Sequence, residues 1–165
     1  MKKSLKKIEL NDISEVASML KIFWKSQDVD ATDSDVLEDI GRMLNSKRIA
    51  FLICLDDQIA GFIFINDKYG YINNIEYLFV KEEFRGLGLA SFTLEEVKKY
   101  VLMRKNPKVQ IEVVPTNKRA LNLYYKHGFT SIDTITLATD ITGKSKEVEV
   151  FGKKFLVNSD EVFEA

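Results

Sequence analysis

The chain has one cysteine, one histidine, one tryptophan and two prolines in 165 residues. With Cys54 alone, a disulfide within the chain is impossible, and one cysteine is no metal set. Cys54 lies in the apolar run 51–55 and reads as core filler. No apolar run approaches the roughly 20 residues a membrane span needs. The net charge of −1 gives no electrostatic reason to expect nucleic acid as a partner. The basic start, Met1 to Lys7, runs into Glu9, Asn11 and Asp12 where a signal peptide would need its apolar segment, so a cytoplasmic protein is expected. Repeats, low-complexity tracts and internal linkers are lacking too. What remains, 45% hydrophobic and 30% charged, is the composition of a globular protein, and the length suits one domain over 1–165.

What the chain does have is a glycine turn. The run Val80-Lys81-Glu82-Glu83-Phe84-Arg85-Gly86-Leu87-Gly88-Leu89-Ala90 joins a strand-like segment, Asn74 to Val80, to an amphipathic helical pattern starting near Leu87. A helix start offers free N–H groups and a partial positive charge, and glycine lets a ligand approach them closely. Successive N–H groups in such a turn form a concave anion site. The local chemistry points to phosphate, above all a pyrophosphate.

About 30 residues on comes a second block, Asn117-Lys118-Arg119-Ala120-Leu121-Asn122-Leu123-Tyr124-Tyr125-Lys126-His127-Gly128-Phe129. Together the two blocks resemble the GNAT acyl-CoA N-acyltransferase superfamily. Its first motif, Arg-Gly-x-Gly-x-Gly/Ala after a strand ending in Val, is matched by Arg85 to Ala90. Its second, roughly Asn-x-x-Ala-x-x-Leu-Tyr-x-x-x-Gly-Phe, is matched by Asn117, Ala120, Leu123, Tyr124, Gly128 and Phe129. One departure is Glu83, where the longer family pattern prefers Gln or Arg.

Periodicity supplies the element order. A strand is expected over Leu5 to Leu10, then a helix opened by a capping-box-like Asp12 and Glu15 and carrying Ile13, Val16, Leu20 and Phe23. After a polar stretch from Lys25 to Asp33, a second helix carries Val36, Leu37, Ile40, Met43 and Leu44. Arg48–Leu55 and Ile59–Ile65 form a hairpin around 56–58, and Tyr69-Gly70 turns into a third strand, Tyr71–Val80. The next helix faces inward with Ala90, Leu94, Val97 and Val101, pairs Glu95 with Lys99, and stops at Asn106-Pro107. Val109–Val114 is a strand, Thr116 or Asn117 caps the following helix, and Phe129–Ala138 with Glu147–Phe155 form a last hairpin around Gly143. This order argues for an α/β fold with a mixed sheet and helices on both faces. The resemblance, which covers 3–156 and leaves the tail 157–165 unassigned, implies the GNAT fold. In it a mostly antiparallel sheet contains a parallel pair, the strands ending at Val80 and spanning Val109–Val114, that splays apart to hold pantetheine.

Acyl transfer from a thioester to an amine needs a neutral amine, a polarised carbonyl and a thiolate able to leave. For the carbonyl, the resemblance implies a backbone N–H of Leu78, Phe79 or Val80. For the leaving group it implies Tyr124 as proton donor to the CoA sulfur, the alternative being an aromatic on the helix's apolar face. For the amine, Glu76 is the candidate base, or else a solvated strand glutamate; Asn73 and Asn74 order a water or mark the strand's start. Arg85 pairs with phosphate or braces the turn, and Gly86, Leu87, Gly88, Leu89 and Ala90 cradle the cofactor. Asn117 bridges CoA to the helix start or is an ordinary N-cap. Lys118 and Arg119 approach the 3′-phosphate or face solvent, and His127 reads as a surface histidine.

The acidic connection Asp28 to Asp35, with Phe23-Trp24 before it, suits a cationic acceptor held by Trp24, Asp28 and Asp30, or is a solvated loop with capping aspartates. The resemblance thus implies an N-acetyltransferase that uses acetyl-CoA, without a metal, on the amine of a small cationic molecule or peptide. The alternative is an inactive acetyl-CoA-binding regulatory module. A dinucleotide-binding domain is disfavoured by Asn74 and Glu76 in the strand before the glycines. The last hairpin and Val162-Phe163 suit a homodimer.

Overall fold

Residues 50–55, Ala-Phe-Leu-Ile-Cys-Leu, are apolar without alternation, which marks a strand buried on both faces. The computed structural model, which describes residues 1–27, 29–45, 48–68, 72–103, 107–115, 117–139 and 144–158, places that strand inside a five-stranded sheet. The chain divides into two compact units, Met1–Glu112 and Val113–Ala165.

In the first unit the sheet runs β1 (Lys3–Lys7), β2 (Ile49–Leu55), β3 (Gln58–Lys68), β4 (Ile72–Val80) and β5 (Val109–Ile111), in that order. The first four are antiparallel neighbours and β4–β5 is parallel. The parallel ladder is short. It pairs Asn73 with Val109, Asn74 with Gln110 and Ile75 with Ile111, and β4 then continues to Val80 without it. This is the splayed pair the resemblance implies.

Helices cover both faces. On one face α1 (Ile13–Ser26) and α2 (Asp33–Met43) bury Val16, Met19, Leu20, Val36, Ile40 and Met43 against Leu52, Phe62, Phe64, Tyr77 and Phe79. On the other, α3 (Leu89–Leu102) begins with Leu89 packed on Ile53, Leu55 and Ala60 beside Leu78 and Val80. Burying one such side chain contributes about 1.5–3 kcal/mol, so this two-sided packing fixes the register of β4.

Several expectations are corrected. β1 ends at Lys7, because Glu9 and Asp12 form a reciprocal capping box around a 3₁₀ turn at Leu10–Asp12 and Leu10 is exposed. The Asp12–Glu15 box therefore does not form: Asp12 accepts from the Glu9 N–H, and Glu15 pairs with Lys81. On α2, capped by Thr32 with Asp35, Leu37 points to solvent. The β2–β3 turn is only Asp56-Asp57, both at positive φ, so Gln58 already pairs with Leu55. In α3, Leu89 takes the inward place expected for Ala90, and the ion pairs join Lys98 to Glu95 and Lys99 to Glu96. β5 stops three residues short of Val114.

The second unit holds α4 (Lys118–Lys126) and a hairpin of β6 (Ser145–Val150) with β7 (Lys153–Asn158). The hairpin turns at Phe151-Gly152, both at positive φ, so its turn falls inside the segment Glu147–Phe155 expected to be one strand. Phe129–Ala138 is not a strand: its Ile132, Ile135 and Leu137 are exposed rather than paired. Tyr69, Gly70, Tyr71, Asn106, Thr116, Gly143, Val162 and Phe163 lie outside the described residues. No helix among the described residues is long and apolar enough to cross a membrane.

Candidate active site

The glycine turn rests on backbone conformations that side chains resist. Gly86 and Gly88 have φ of 76° and 73°, in the left-handed region that costs an L-residue roughly 1–2 kcal/mol. Gly88 is the N-cap of α3, so the first free N–H groups of that helix, from Leu89 and Ala90 onward, emerge from a turn whose glycines carry no side chain of their own. Leu87 packs on the α3 face of the sheet and anchors the turn. Arg85 donates from Nε to the Val80 carbonyl at 3.1 Å, which braces the turn against the end of β4. From β1, the Lys3 Nζ reaches within 3.0 Å of where a Cβ on Gly88 would lie. An ammonium beside the positive end of a helix is unfavourable unless an anion joins them, so the cradle fits a phosphate group.

Upstream, β4 divides its backbone groups between two sides. The Lys81 N–H donates to the Ala60 carbonyl at 2.8 Å, in register with Phe79 opposite Phe62. Strand alternation then turns the N–H groups of Phe79 and Lys81 into β3, and those of Leu78 and Val80 toward the side where β5 has ended. A cavity of about 380 Å³ lies on the α1 side of this segment, lined by Met19, Ile22, Phe79, Lys81 and Arg85 among others.

Glu76 occupies a β-bulge. Phe64 faces Tyr77 and Ile65 faces Ile75, so Glu76 is the extra residue of β4. Strict alternation would put Glu76 and Tyr77 on opposite faces; the bulge re-aims Glu76 so that both meet α2. The Tyr77 hydroxyl donates to Asp39 Oδ1 at 3.0 Å, and Arg42 donates to the same oxygen at 3.0 Å and through Nη2 to Glu76 Oε2. The indole N–H of Trp24 donates to Asp39 Oδ2 at 3.0 Å. Arg42 also lies over the Phe64 ring, 5.2 Å from its centroid. Hydrogen bonding to Glu76 raises the Arg42 pKa, and burial, with the Asp39 charge, raises that of Tyr77, so both remain donors.

Trp24 is therefore linked to Glu76 through Asp39 and Arg42. The acidic connection is not gathered with them: Asp30 is exposed, Asp33 pairs with Lys21, Asp35 caps with Thr32, and Asp28 lies outside the described residues. Asn73 donates to the Lys108 carbonyl at 3.0 Å, tying β4 to the approach of β5. The Oδ1 of buried Asn74 has no partner among the described residues. In the second unit, Asn117 caps α4 by accepting from the Ala120 N–H at 3.0 Å. Tyr124, half-buried, packs edge-on to Phe129 with centroids 5.9 Å apart, and burial raises its pKa.

Sequence reasoning missed Asp39, Arg42 and Tyr77. The signal for Asp39 was present: it falls on the helix face marked by Val36, Ile40 and Met43, and an acid at an inward position calls for donors.

The profile of the acetyltransferase (GNAT) family matches residues 16–129. Streptothricin acetyltransferase of Escherichia coli is 34% identical over 87 residues, 52% of this chain, and the match spans about half (50%) of that protein's length. The solved structure of AAC(6')-Iy with the bisubstrate analogue CoA-S-monomethyl-acetylneamine superposes with a TM-score of 0.72 at 15% identity, over 86% of this chain and 99% of that one. A predicted acetyltransferase from Clostridium acetobutylicum, solved with acetyl-CoA, gives 0.65 at 19% identity, over 84% and 96%. At these identities the solved structures show a shared fold. With the family profile spanning both glycine turn and second motif, the chain belongs to the acetyltransferase (GNAT) family.

Proposed function

We propose that this acetyltransferase-family chain transfers the acetyl group of acetyl-CoA directly to a primary amine of a small cationic molecule or a peptide. The observation that carries this reading is the continuity of β4: one strand leads from Glu76 on its bulge, past the outward N–H groups of Leu78 and Val80, to the glycine turn.

The reactive thioester is supplied by acetyl-CoA. The turn from Arg85 to Ala90 and the Lys3 ammonium take its pyrophosphate, and the segment Leu78–Val80 lies along pantetheine. The Leu78 or Val80 N–H polarises the thioester carbonyl. Glu76 accepts the proton of the amine, directly or through one water, and Asn74 offers its orphan Oδ1 to the same N–H or water. Tyr124 donates a proton to the departing sulfur; its raised pKa keeps that proton in place at neutral pH. Asn117 supports the cofactor from the start of α4.

For the acceptor, the relatives' names favour a cationic antibiotic: one acts on streptothricin, and another was solved with an acetylneamine analogue. Trp24, Asp28 and Asp30 are proposed on the acceptor side, and replacing both aspartates with Asn is expected to raise the amine KM with kcat retained. The deciding experiment is calorimetric titration with acetyl-CoA, then a thiol-release screen over streptothricin, aminoglycosides, polyamines and lysine-bearing peptides. Tight binding with turnover on one amine class is the expected outcome. Binding without turnover on any amine would replace the enzyme by a binding module, and no binding would overturn the reading.

A further inference from the structure

We infer that Arg42 is the positioning residue for Glu76, and that the Asp39–Arg42–Glu76 cluster leaves one net negative charge on the face that receives the amine. This rests on the transfer reading above.

Asp39 is the fixed point. It is 7% exposed, and its two oxygens receive the Trp24 indole, the Tyr77 hydroxyl and one arm of Arg42. A buried carboxylate with donors on both oxygens is held on all sides, so the guanidinium it anchors is held too. The Phe64 ring beneath that guanidinium closes off another direction of motion. The second arm reaches Glu76, whose side chain is 24% exposed and open to a substrate. A lysine has one point of charge and cannot bridge two carboxylates in this way; the planar fork of arginine can.

Charge follows from the same contacts. Among the described residues, the groups joined in this cluster are Arg42 and Asp39 from α2 and Glu76 and Tyr77 from β4, with the neutral indole of Trp24 from α1 and the Phe64 ring from β3. Two carboxylates and one guanidinium sum to −1. That charge attracts an ammonium, and Arg42 keeps the pair of acids from repelling one another.

Removing Arg42 therefore has two effects of opposite sense. Glu76 loses its aim, so kcat falls, while the face becomes more negative, so a cationic amine binds no worse. A merely structural arginine would weaken both steps together. For Arg42→Met we expect kcat to fall roughly 100-fold, with the amine KM unchanged or lower and the acetyl-CoA KM unchanged. Arg42→Lys, which keeps the charge and guards against a folding failure, restores the wild-type amine KM but not kcat. Independently of turnover, crystal structures of wild type and both variants locate the Glu76 carboxylate. In Arg42→Met it leaves the position it holds against the Asp39-anchored guanidinium, whereas wild type keeps it there. A carboxylate unmoved in Arg42→Met, or kcat and amine KM that worsen in proportion, would overturn the inference. If wild type turns over no amine, the transfer reading fails, and the structures still decide whether Arg42 holds Glu76.

Discussion

The glycine turn and the bulge cluster sit at the two ends of the same half of β4, and they are made of different atoms. The turn works with main-chain N–H groups, two glycines at positive φ and a helix start, all within a few consecutive residues. The cluster works with side chains drawn from α1, α2, β3 and β4, through contacts such as Arg42 to Glu76 that are 34 residues apart. A backbone site tolerates almost any side chain but no change of conformation. A side-chain site tolerates conformational adjustment but no loss of a donor or acceptor.

The sharpest test of that contrast is a Cβ where the backbone has no room. At Gly61 it would lie 2.1 Å from the Phe79 carbonyl oxygen. Gly61→Ala is expected to cost about 3 kcal/mol, a fall in Tm of roughly 10 °C; a loss below about 1 kcal/mol would mean β3 and β4 separate without strain. Next comes the chemical end. Glu76→Gln leaves the geometry nearly intact and is expected to lower kcat about 100-fold with the acetyl-CoA KM unchanged, so steady-state kinetics that left kcat intact would remove Glu76 from the mechanism. Gly88→Ala strains the turn and is expected to raise the acetyl-CoA KM about tenfold with kcat nearly preserved. A kcat effect there instead would show that the two ends are coupled.

The smallest effect is expected away from both. The Glu9 N–H, and then the Lys6 ammonium, hold Asp12 below the usual carboxylate range. A depressed folded-state pKa contributes stability that is present above the unfolded value near 3.9 and lost as pH falls through the lower folded value. Asp12→Asn is expected to cost about 1 kcal/mol at neutral pH without touching either KM. In denaturant titrations the gap to wild type should close on acidification below pH ~4; a gap that persists there would assign the loss to packing.

This contrast also explains what could be read from the residues alone. Arg85 to Ala90 carry their meaning in contiguous order, so the turn, the strand before it and the helix after it were legible. So was the meander, because β2 and β3 advertise themselves by long, mostly apolar runs. The bulge was not, since the extra residue at 76 appears only once Phe64 and Ile65 find their partners. The last hairpin misled for a related reason. Thr130 to Leu137 are rich in Ile and Thr as a strand is, but such residues form a strand only where a neighbour supplies the other half of the ladder, and Ile132, Ile135 and Leu137 remain exposed. Glu15 reads as a local cap and instead pairs with distant Lys81, while Asp35 of the acidic connection is taken up locally by Thr32.

The two margins of the sheet are guarded unequally. β1 carries Lys3, Lys6 and Lys7 along its edge, the kind of charge that discourages a foreign strand from adding there. Past Ile75, where among the described residues β5 no longer pairs with it, β4 presents Leu78 and Val80 without such charge. A ligand lying along that margin would occupy the groups a neighbouring molecule could otherwise pair with. If CoA lies along that margin as proposed, light scattering of the protein with and without CoA, on standing at high concentration, is expected to register slower self-association in the occupied form.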